Sequence, residues 1–308
     1  MQRTWLTSEG VAAARLRGRG ERVVTLPRLD RGSVSPRSVL AGVLAAVRER
    51  PSVVVTSGAG LAVPFCVASR LLGARLVHVE TMARVTSGST SGRLLARMAD
   101  AVLVQWPDLA RVYPRAEVCR PALLEDIGSP RPGGTGTFVT VGSHDQAFPR
   151  MLGAVRTAAQ DGLLPQPVLV QRGVADQLDG PLTSVEFMPR EAFEEAMESA
   201  AIVVSHGGAG AVASAIRAGK RPIIFARRRA LGEHVDDHQL QLARKLDELG
   251  LAVLVVDRIT PEDVAATRDV RGAPVQSGSP RVADRLRDVV ADLLTLPRTF
   301  RVLRPTAR

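Results

Sequence analysis

One architectural unit is written twice in this 308-residue chain, and the repeat narrows the fold more than any other feature. In the first copy, Ser52–Thr56 (SVVVT) reads as a buried strand and Ser57–Gly60 (SGAG) as a turn. Leu61–Leu72 follows as a helix ended by Gly73, and Ala74–Glu80 (ARLVHVE) as the next strand. In the second copy, Ala201–Ser205 (AIVVS) is the strand and His206–Gly210 (HGGAG) the turn. Ala211–Ala218 is then a helix closed by Gly219, and Arg221–Ala226 (RPIIFA) the following strand. Strands that are apolar throughout, alternating with helices, require parallel sheets covered on both faces. The expected class is α/β, with two related nucleotide-fold halves.

Between the copies lies Gly128–Gly136 (GSPRPGGTG), rich in Pro and Gly, which reads as a linker. The expected division is therefore 1–127, a linker at 128–136, and 137–308, the second domain opening with the strand Thr137–Val141. A last helix is expected from Ser279-Pro280, with Ser as N-cap and Pro at the first helical position. Val282, Leu286, Val289, Val290 and Leu293 give that helix one apolar face.

Composition bounds what such a chain can do. With 45% apolar but only 3% aromatic residues, its cores must be built from Val, Leu, Ala and Ile. No uncharged apolar stretch reaches the ~18 residues of a transmembrane helix, and the first 20 residues lack a secretory apolar core. The two distant cysteines, Cys66 and Cys119, make neither a disulfide framework nor a metal quartet, so a cytosolic location is expected. The net charge of +10 suits phosphorylated substrates, an anionic membrane face or nucleic acid. No aromatic-basic motif, zinc-finger spacing or helix-turn-helix pattern supports nucleic acid, and a solvated arginine-rich surface explains much of the excess.

The chemistry-bearing residues cluster after strands. In His206-Gly207-Gly208-Ala209-Gly210, glycines let backbone amides approach an anion while the next helix directs its positive end there. The competing reading is a turn needed only for tight helix–sheet packing. Arg227-Arg228-Arg229 follow the next strand, at the edge where open α/β sheets bind ligands. Glu233, His234, Asp237, His238 and Gln239 crowd a loop-to-helix junction and can hydrogen-bond sugar hydroxyls; Asp236 or Asp237 can also cap that helix. The His234/His238 spacing of four is compatible with a metal, but no third ligand or closed geometry is evident, so no metal is expected. Thr137–Val141 runs into Gly142-Ser143-His144-Asp145-Gln146. There His144 can bind phosphate, act as acid or base, or sit in a helix-capping region.

These segments resemble a known family. Thr137–Phe148 (TFVTVGSHDQAF) and Val203–Ala243 resemble the C-terminal domain of glycosyltransferase family 28. Within it, the likeness is to the two-component UDP-N-acetylglucosamine transferase of lipid-linked oligosaccharide synthesis and its bacterial exopolysaccharide relatives. Val53–Ala116 resembles the partner subunit of that enzyme, which anchors it and helps receive the acceptor, so the chain looks like a fusion of the two. The resemblance implies a GT-B fold: two Rossmann-like parallel-sheet domains facing a cleft, donor on the C-terminal side and acceptor on the N-terminal side. It implies inverting, metal-independent transfer from a UDP-sugar to a polyprenyl-diphosphate-linked acceptor, without a cofactor. By position, Gly142, Ser143, His206, Gly207, Gly208, Gly210, Ser214, Arg227, Arg228, Glu233, His234, Asp237, His238 and Gln239 would contact the donor. Ser57, Gly58, Gly60 and Arg84 would lie on the acceptor side, with Glu80 as first candidate base, its pKa raised in a partly closed cleft, and His144 as second. Glu80 only orienting the acceptor, or pairing with Arg84, is the competing role.

Two departures from the family pattern bear on function. Ser214 stands where relatives often carry a glutamate that accepts from both ribose hydroxyls. The first half opens at Arg3–Gly10, which resembles the second strand of that domain, so the usual first strand and glycine loop are expected to be missing. A non-catalytic UDP-sugar-binding subunit and a UDP-sugar epimerase are the alternative readings. The implied acceptor predicts a peripheral location at the inner face of the plasma membrane, through anionic lipid or a membrane-protein partner.

Overall fold

The computed structural model describes residues 3–27, 35–125, 127–129, 133–143, 146–269 and 278–296. The chain forms two compact units. The first comprises the described residues of Met1–Thr81, Thr86–Cys119 and Pro280–Arg308, the second those of Met82–Val85 and Arg120–Ser279.

In the first unit β1 (Thr4–Ser8) and β2 (Arg22–Leu26) pair in parallel around α1 (Val11–Gly18). A separate parallel sheet runs β3 (Val53–Thr56), β4 (Arg75–Val79), β5 (Ala101–Val104), β6 (Glu117–Val118) in that order. Among the described residues no ladder joins β1 to β3, so each keeps one edge without a strand partner. Helix α2 (Pro36–Glu49) begins with a capping box between Ser35 and Ser38, and Pro36 opens its first turn. It packs on α3 (Val63–Leu71), while α4 (Thr90–Ala96) is capped by Ser89. Ala46, Val54, Phe65, Cys66, Ala68, Leu76 and Leu95 form the shared core.

The second unit is one six-stranded parallel sheet. Its strands are β7 (Thr137–Thr140), β8 (Val168–Gln171), β9 (Leu182–Val185), β10 (Ile202–His206), β11 (Ile223–Phe225) and β12 (Val253–Val255), in the spatial order β12-β11-β10-β7-β8-β9. Alternation along β7 sends Val139 into a core with Val155, Val170 and Phe225, and Phe138 into another with Met197, Val203 and Ala215. The helices are α5 (Pro149–Gln160), α6 (Arg190–Ser199), α7 (Ala209–Arg217), α8 (His238–Glu248) and α9 (Pro261–Ala266). From β7 the strands run outward one way and from β10 the other. The carboxyl ends of this adjacent pair are thus the topological switch point, where open α/β sheets leave a crevice.

Three sequence expectations change. The final helix, α10 (Val282–Thr295), belongs to the first unit, not to the donor half. Its apolar face, with Val289 buried, packs on β3 and β5, and Arg285 pairs with Glu117 at 2.6 Å. Its N-cap is Arg281 rather than Ser279. The boundary between units falls at Cys119/Arg120, and the described part of the expected linker is pinned to unit two. Gly128 N–H donates to Ile216 O at 3.2 Å, and Thr135 N–H to Ser199 O at 2.9 Å. No helix among the described residues is long and apolar enough to cross a membrane.

Candidate active site

The switch point of the second unit is assembled from three loops. At the end of β7, the amide of Gly142 donates to Thr140 Oγ1 at 3.1 Å, and Gly142 takes φ +83°, a left-handed conformation suited to glycine. A Cβ there would lie 2.3 Å from Cε1 of His206, the last residue of β10. On the other side, a Cβ on Gly208 would lie 2.1 Å from His206 Nε2. The imidazole is thus seated between two glycines, which explains both from packing. Gly207 is held by its N–H to Phe225 O at 3.1 Å and packs on Gln239. The packing reading therefore accounts for Gly142, Gly207 and Gly208. It does not account for Gly210, which is exposed with nothing within 4 Å of a Cβ. α7 starts at Ala209, and its N-cap Gly208 supplies no side-chain cap, so its first-turn amides are left open beside the half-buried His206. Ser214, further along α7, accepts from Arg217 at 3.2 Å.

The basic run splits three ways. Arg227 is fully buried, contrary to a role as an open phosphate ligand. Its guanidinium donates to Ala147 O (3.1 Å) and Gln146 O (2.8 Å) and stacks 4.4 Å from the Phe148 ring centroid, and burial lowers its pKa. Its amide donates to Gln239 Oε1 at 3.2 Å, so the buried Gln239 is a loop tie rather than an open sugar ligand. Arg228 keeps a partly exposed side chain, while its amide donates to Glu233 Oε2 at 3.0 Å. Arg229 N–H donates to Asp237 Oδ1 at 2.9 Å, which fixes the loop ahead of α8.

Glu233 is likewise structural. Burial alone would raise its pKa; the bidentate bond from Arg150, 2.9 Å at each oxygen, and the Arg228 amide outweigh that and lower it. Arg150 also donates to Ala226 O at 2.8 Å. Nothing in the sequence marked Arg150, because its partners lie 76 to 106 residues away.

The part of the cluster that stays partly accessible is His234, Asp236 and His238. Asp236, absent from the expected donor set, accepts from His238 Nδ1 and from Arg84, and lies 3.4 Å from His234 Nδ1. Burial works against its charge, and His238 and Arg84 overcome this and lower its pKa. The ligand atoms of the three residues lie within 4.8 Å of one another, so Asp236 supplies the third group that the histidine spacing alone does not reveal. That carboxylate is already engaged by a guanidinium, which opposes a further cation. Arg84, expected on the acceptor side, belongs to the Met82–Val85 segment that packs with the second unit, where Val85 N–H also donates to Gln241 Oε1 at 3.4 Å.

In the first unit, Glu80 does not have the environment expected of a base. It is fully buried and accepts from the Tyr113 hydroxyl, from Ser89 N–H (3.1 Å) and Oγ (3.3 Å), and from Thr81 N–H (3.0 Å). Burial would raise its pKa, but His78, Tyr113 and the two amides hold it at about 2. Nor does it pair with Arg84. His78 Nε2 lies 3.7 Å from the carboxylate, close enough to favour its charged form but beyond ordinary hydrogen-bond distance. Gly58 is buried with φ +84°, its carbonyl taken by Ser91 Oγ; Ser57 is exposed and Gly60 half-buried. Tyr113 was missed, although it is the only tyrosine of the chain. Ser143 is exposed, and His144 lies outside the described residues.

The strand order and the loops at the switch point define a GT-B fold, α/β with parallel sheets in two domains, and comparison with solved structures agrees. Acinetobacter baumannii MurG superposes with a TM-score of 0.62 at 17% identity, covering 94% of this chain and 90% of that one. The Streptomyces nogalater glycosyltransferase SnogD gives 0.54 at 16% identity, covering 94% and 98%. S. aureus MnaA in its UDP co-structure gives 0.65 at 10% identity, covering 96% and 97%, a likeness of fold alone. The sequence is more particular. Residues 33–121 match the family "Oligosaccharide biosynthesis protein Alg14 like", and residues 137–268 match the "Glycosyltransferase family 28 C-terminal domain". The chain carries both domains in tandem. It is 42% identical over 76 residues to the UDP-N-acetylglucosamine transferase subunit ALG14 of Yarrowia lipolytica, covering 23% of this chain and 35% of that protein. The Homo sapiens protein of that name is 39% identical over 75 residues, covering 22% and 35%. The chain thus spans about a third of the length of these curated relatives, 35% in each case.

Proposed function

We propose that the chain is an inverting glycosyltransferase that binds a UDP-sugar on its second unit and transfers the sugar to a lipid-diphosphate-linked acceptor. The observation that carries this reading is the uncapped start of α7, with open space at Gly210, beside the partly exposed His206 at the switch point. Backbone amides aimed outward from a helix N-terminus suit a diphosphate, and Arg228 adds a guanidinium that no carboxylate takes up among the described residues. The packing of Gln239 on Gly207 brings the start of α8, with His234 and His238, to the same turn. UDP-N-acetylglucosamine is the first donor to test, since the Alg14 relatives are named for it.

In a single displacement the acceptor oxygen attacks the anomeric carbon, the bond to UDP breaks and a base takes the proton. Burial and a pKa of about 2 weigh against Glu80 in that role. His238 has the geometry of an oriented imidazole, with Nδ1 fixed by Asp236 and Nε2 left for a hydroxyl. UDP-sugars assayed with membrane extracts containing polyprenyl-diphosphate acceptors test the reading. We expect transfer from UDP-N-acetylglucosamine, reduced ~100-fold or more in His238→Gln. UDP binding without turnover would instead favour a non-catalytic subunit, a reading to which the relatives' designation as subunits gives weight. Conversion of free UDP-sugar without acceptor would favour an epimerase.

A further inference from the structure

The first unit contains a cavity of about 470 Å³ that the donor chemistry does not use. Arg93 and Arg97 reach it from one face of α4, spaced by four, and Arg111 and Arg115 from the turn at Pro107–Arg111 and the segment after it. Val102 and Tyr113, both buried, form part of its floor. All four arginines are exposed, and among the described residues none pairs with a carboxylate. Three acids of this unit are committed elsewhere: Asp100 to Arg70 and Arg75, Glu117 to Arg285, and Glu80 to Tyr113. Like charges spaced by four on a helix repel one another, so the convergence is unfavourable unless an anion occupies the space. A concave site lined by one sign of charge also concentrates counter-ions.

We propose that this pocket is a binding site for a phosphate or diphosphate group. Guanidinium forks match phosphate oxygens in bidentate geometry, and four of them can neutralise a diphosphate. The pocket does not suit a nucleic-acid strand, because its one aromatic residue, Tyr113, is buried with its hydroxyl bound to Glu80 and offers no stacking face. A soluble phosphate ester and a phosphorylated lipid headgroup present the same chemistry. The proposal does not rest on the transferase reading, since it concerns the other unit and its test reads binding rather than turnover.

The sole tyrosine makes the site directly observable. The full chain, labelled with 3-fluorotyrosine, gives one 19F resonance at Tyr113, to be titrated with inorganic pyrophosphate and separately with phosphatidic acid or pure phosphatidylcholine vesicles. We expect a saturable shift with pyrophosphate, weakened ~10-fold or more in the Arg97→Ala/Arg111→Ala double variant. The corresponding double lysine variant should recover part of it, and Arg258→Ala, an exposed arginine of the second unit, should match the parent. A change seen only with phosphatidic acid vesicles, and lost in the double alanine variant, also supports the pocket and assigns its phosphate to a membrane. No change with either probe, or equal affinity in parent and double alanine variant, overturns the proposal.

Discussion

The two units share a strand-end device that serves different ends. In each, a strand closes with Thr-x-Gly: Thr56 and Gly58 after β3, Thr140 and Gly142 after β7. In each, the glycine amide donates to the threonine Oγ1 at 3.1 Å, and φ is +84° at Gly58 and +83° at Gly142. In each, a histidine from the adjacent parallel strand packs on the glycine, His78 of β4 on Gly58 and His206 of β10 on Gly142. The surroundings then diverge. His78 is fully buried next to Glu80 and Tyr113, and Ser91 occupies the Gly58 carbonyl. His206 stays partly exposed, and the helix after it opens without a cap. The device is a way of ending a strand tightly; what covers it decides whether it can meet a ligand.

The hardest test of this contrast fills the glycine positions. Gly208→Leu forces a side chain into the His206 ring and the mouth of α7, and should weaken UDP binding ~100-fold or more with the sheet still folded. Gly58→Ala puts a Cβ 3.0 Å from His78 at a left-handed residue, so it should cost stability, ~1–2 kcal/mol, and leave UDP affinity unchanged. Calorimetric titration and thermal unfolding of both variants would separate the effects. Equal losses of UDP affinity would mean that the halves do not divide the work in this way.

Much of this contrast was beyond the reach of sequence. Strands such as Val53–Thr56 and Ile202–His206 were legible because burial on both faces leaves continuous apolar runs. The glycine–histidine pairing was not, because it depends on which strands become neighbours. Glu80 reads as a base from its place at a strand end, yet Thr81, Ser89 and Tyr113 donate to it and hold it in the interior. Arg227, Arg228 and Arg229 look equivalent in a row, and only the tertiary position of Phe148 turns the first into a core residue. The site clusters were readable as clusters, whereas the division between residues that face a ligand and residues that hold a loop was not.

The buried side of the contrast has its own signature in pH. The folded pKa of Glu80 is lowered from 4.5 to about 2, so its contribution to stability is fully present above the unfolded value and lost as pH falls toward 2. A depression of that size corresponds to about 3 kcal/mol. Glu80→Gln should lower stability by this order at pH 7, flatten the acid limb of the stability profile, and leave UDP affinity intact. Denaturant unfolding between pH 3 and 7 would reveal it. A variant as stable as the parent, but slow in transfer, would return Glu80 to the chemistry.

A smaller effect is expected at Arg84, the residue that the Met82–Val85 segment contributes to the second unit. Its ion pair with Asp236 is partly exposed, with 18% and 29% of the two side chains accessible, so its worth is about 1 kcal/mol and falls with salt. Arg84→Ala should therefore raise the KM for UDP-sugar about fivefold at low ionic strength, with Arg84→Lys close to the parent. A change in kcat alone would argue that the loop acts on the acceptor instead.

The smallest expected effect is a gain, and it sharpens the open side of the comparison. Ser214 is half-buried on α7, beyond the uncapped turn, and among the described residues its hydroxyl is held by Arg217. A hydroxyl offers one donor and two lone pairs, whereas a carboxylate can accept from both hydroxyls of a ribose lying along the helix. Ser214→Glu should bind UDP a few-fold more tightly, since a charge-assisted bond contributes about 1.5–3 kcal/mol, less what is spent drawing the carboxylate away from Arg217 at i+3. The gain must depend on the sugar of the nucleotide. With 2′-deoxy-UDP one of the two acceptable hydroxyls is gone, and the advantage over the parent should shrink or disappear. An equal gain with both nucleotides would mean that the new carboxylate acts through the helix rather than through the ligand. No gain with either would place the ribose away from α7, and the donor would have to lie toward the His234–His238 side of the loop.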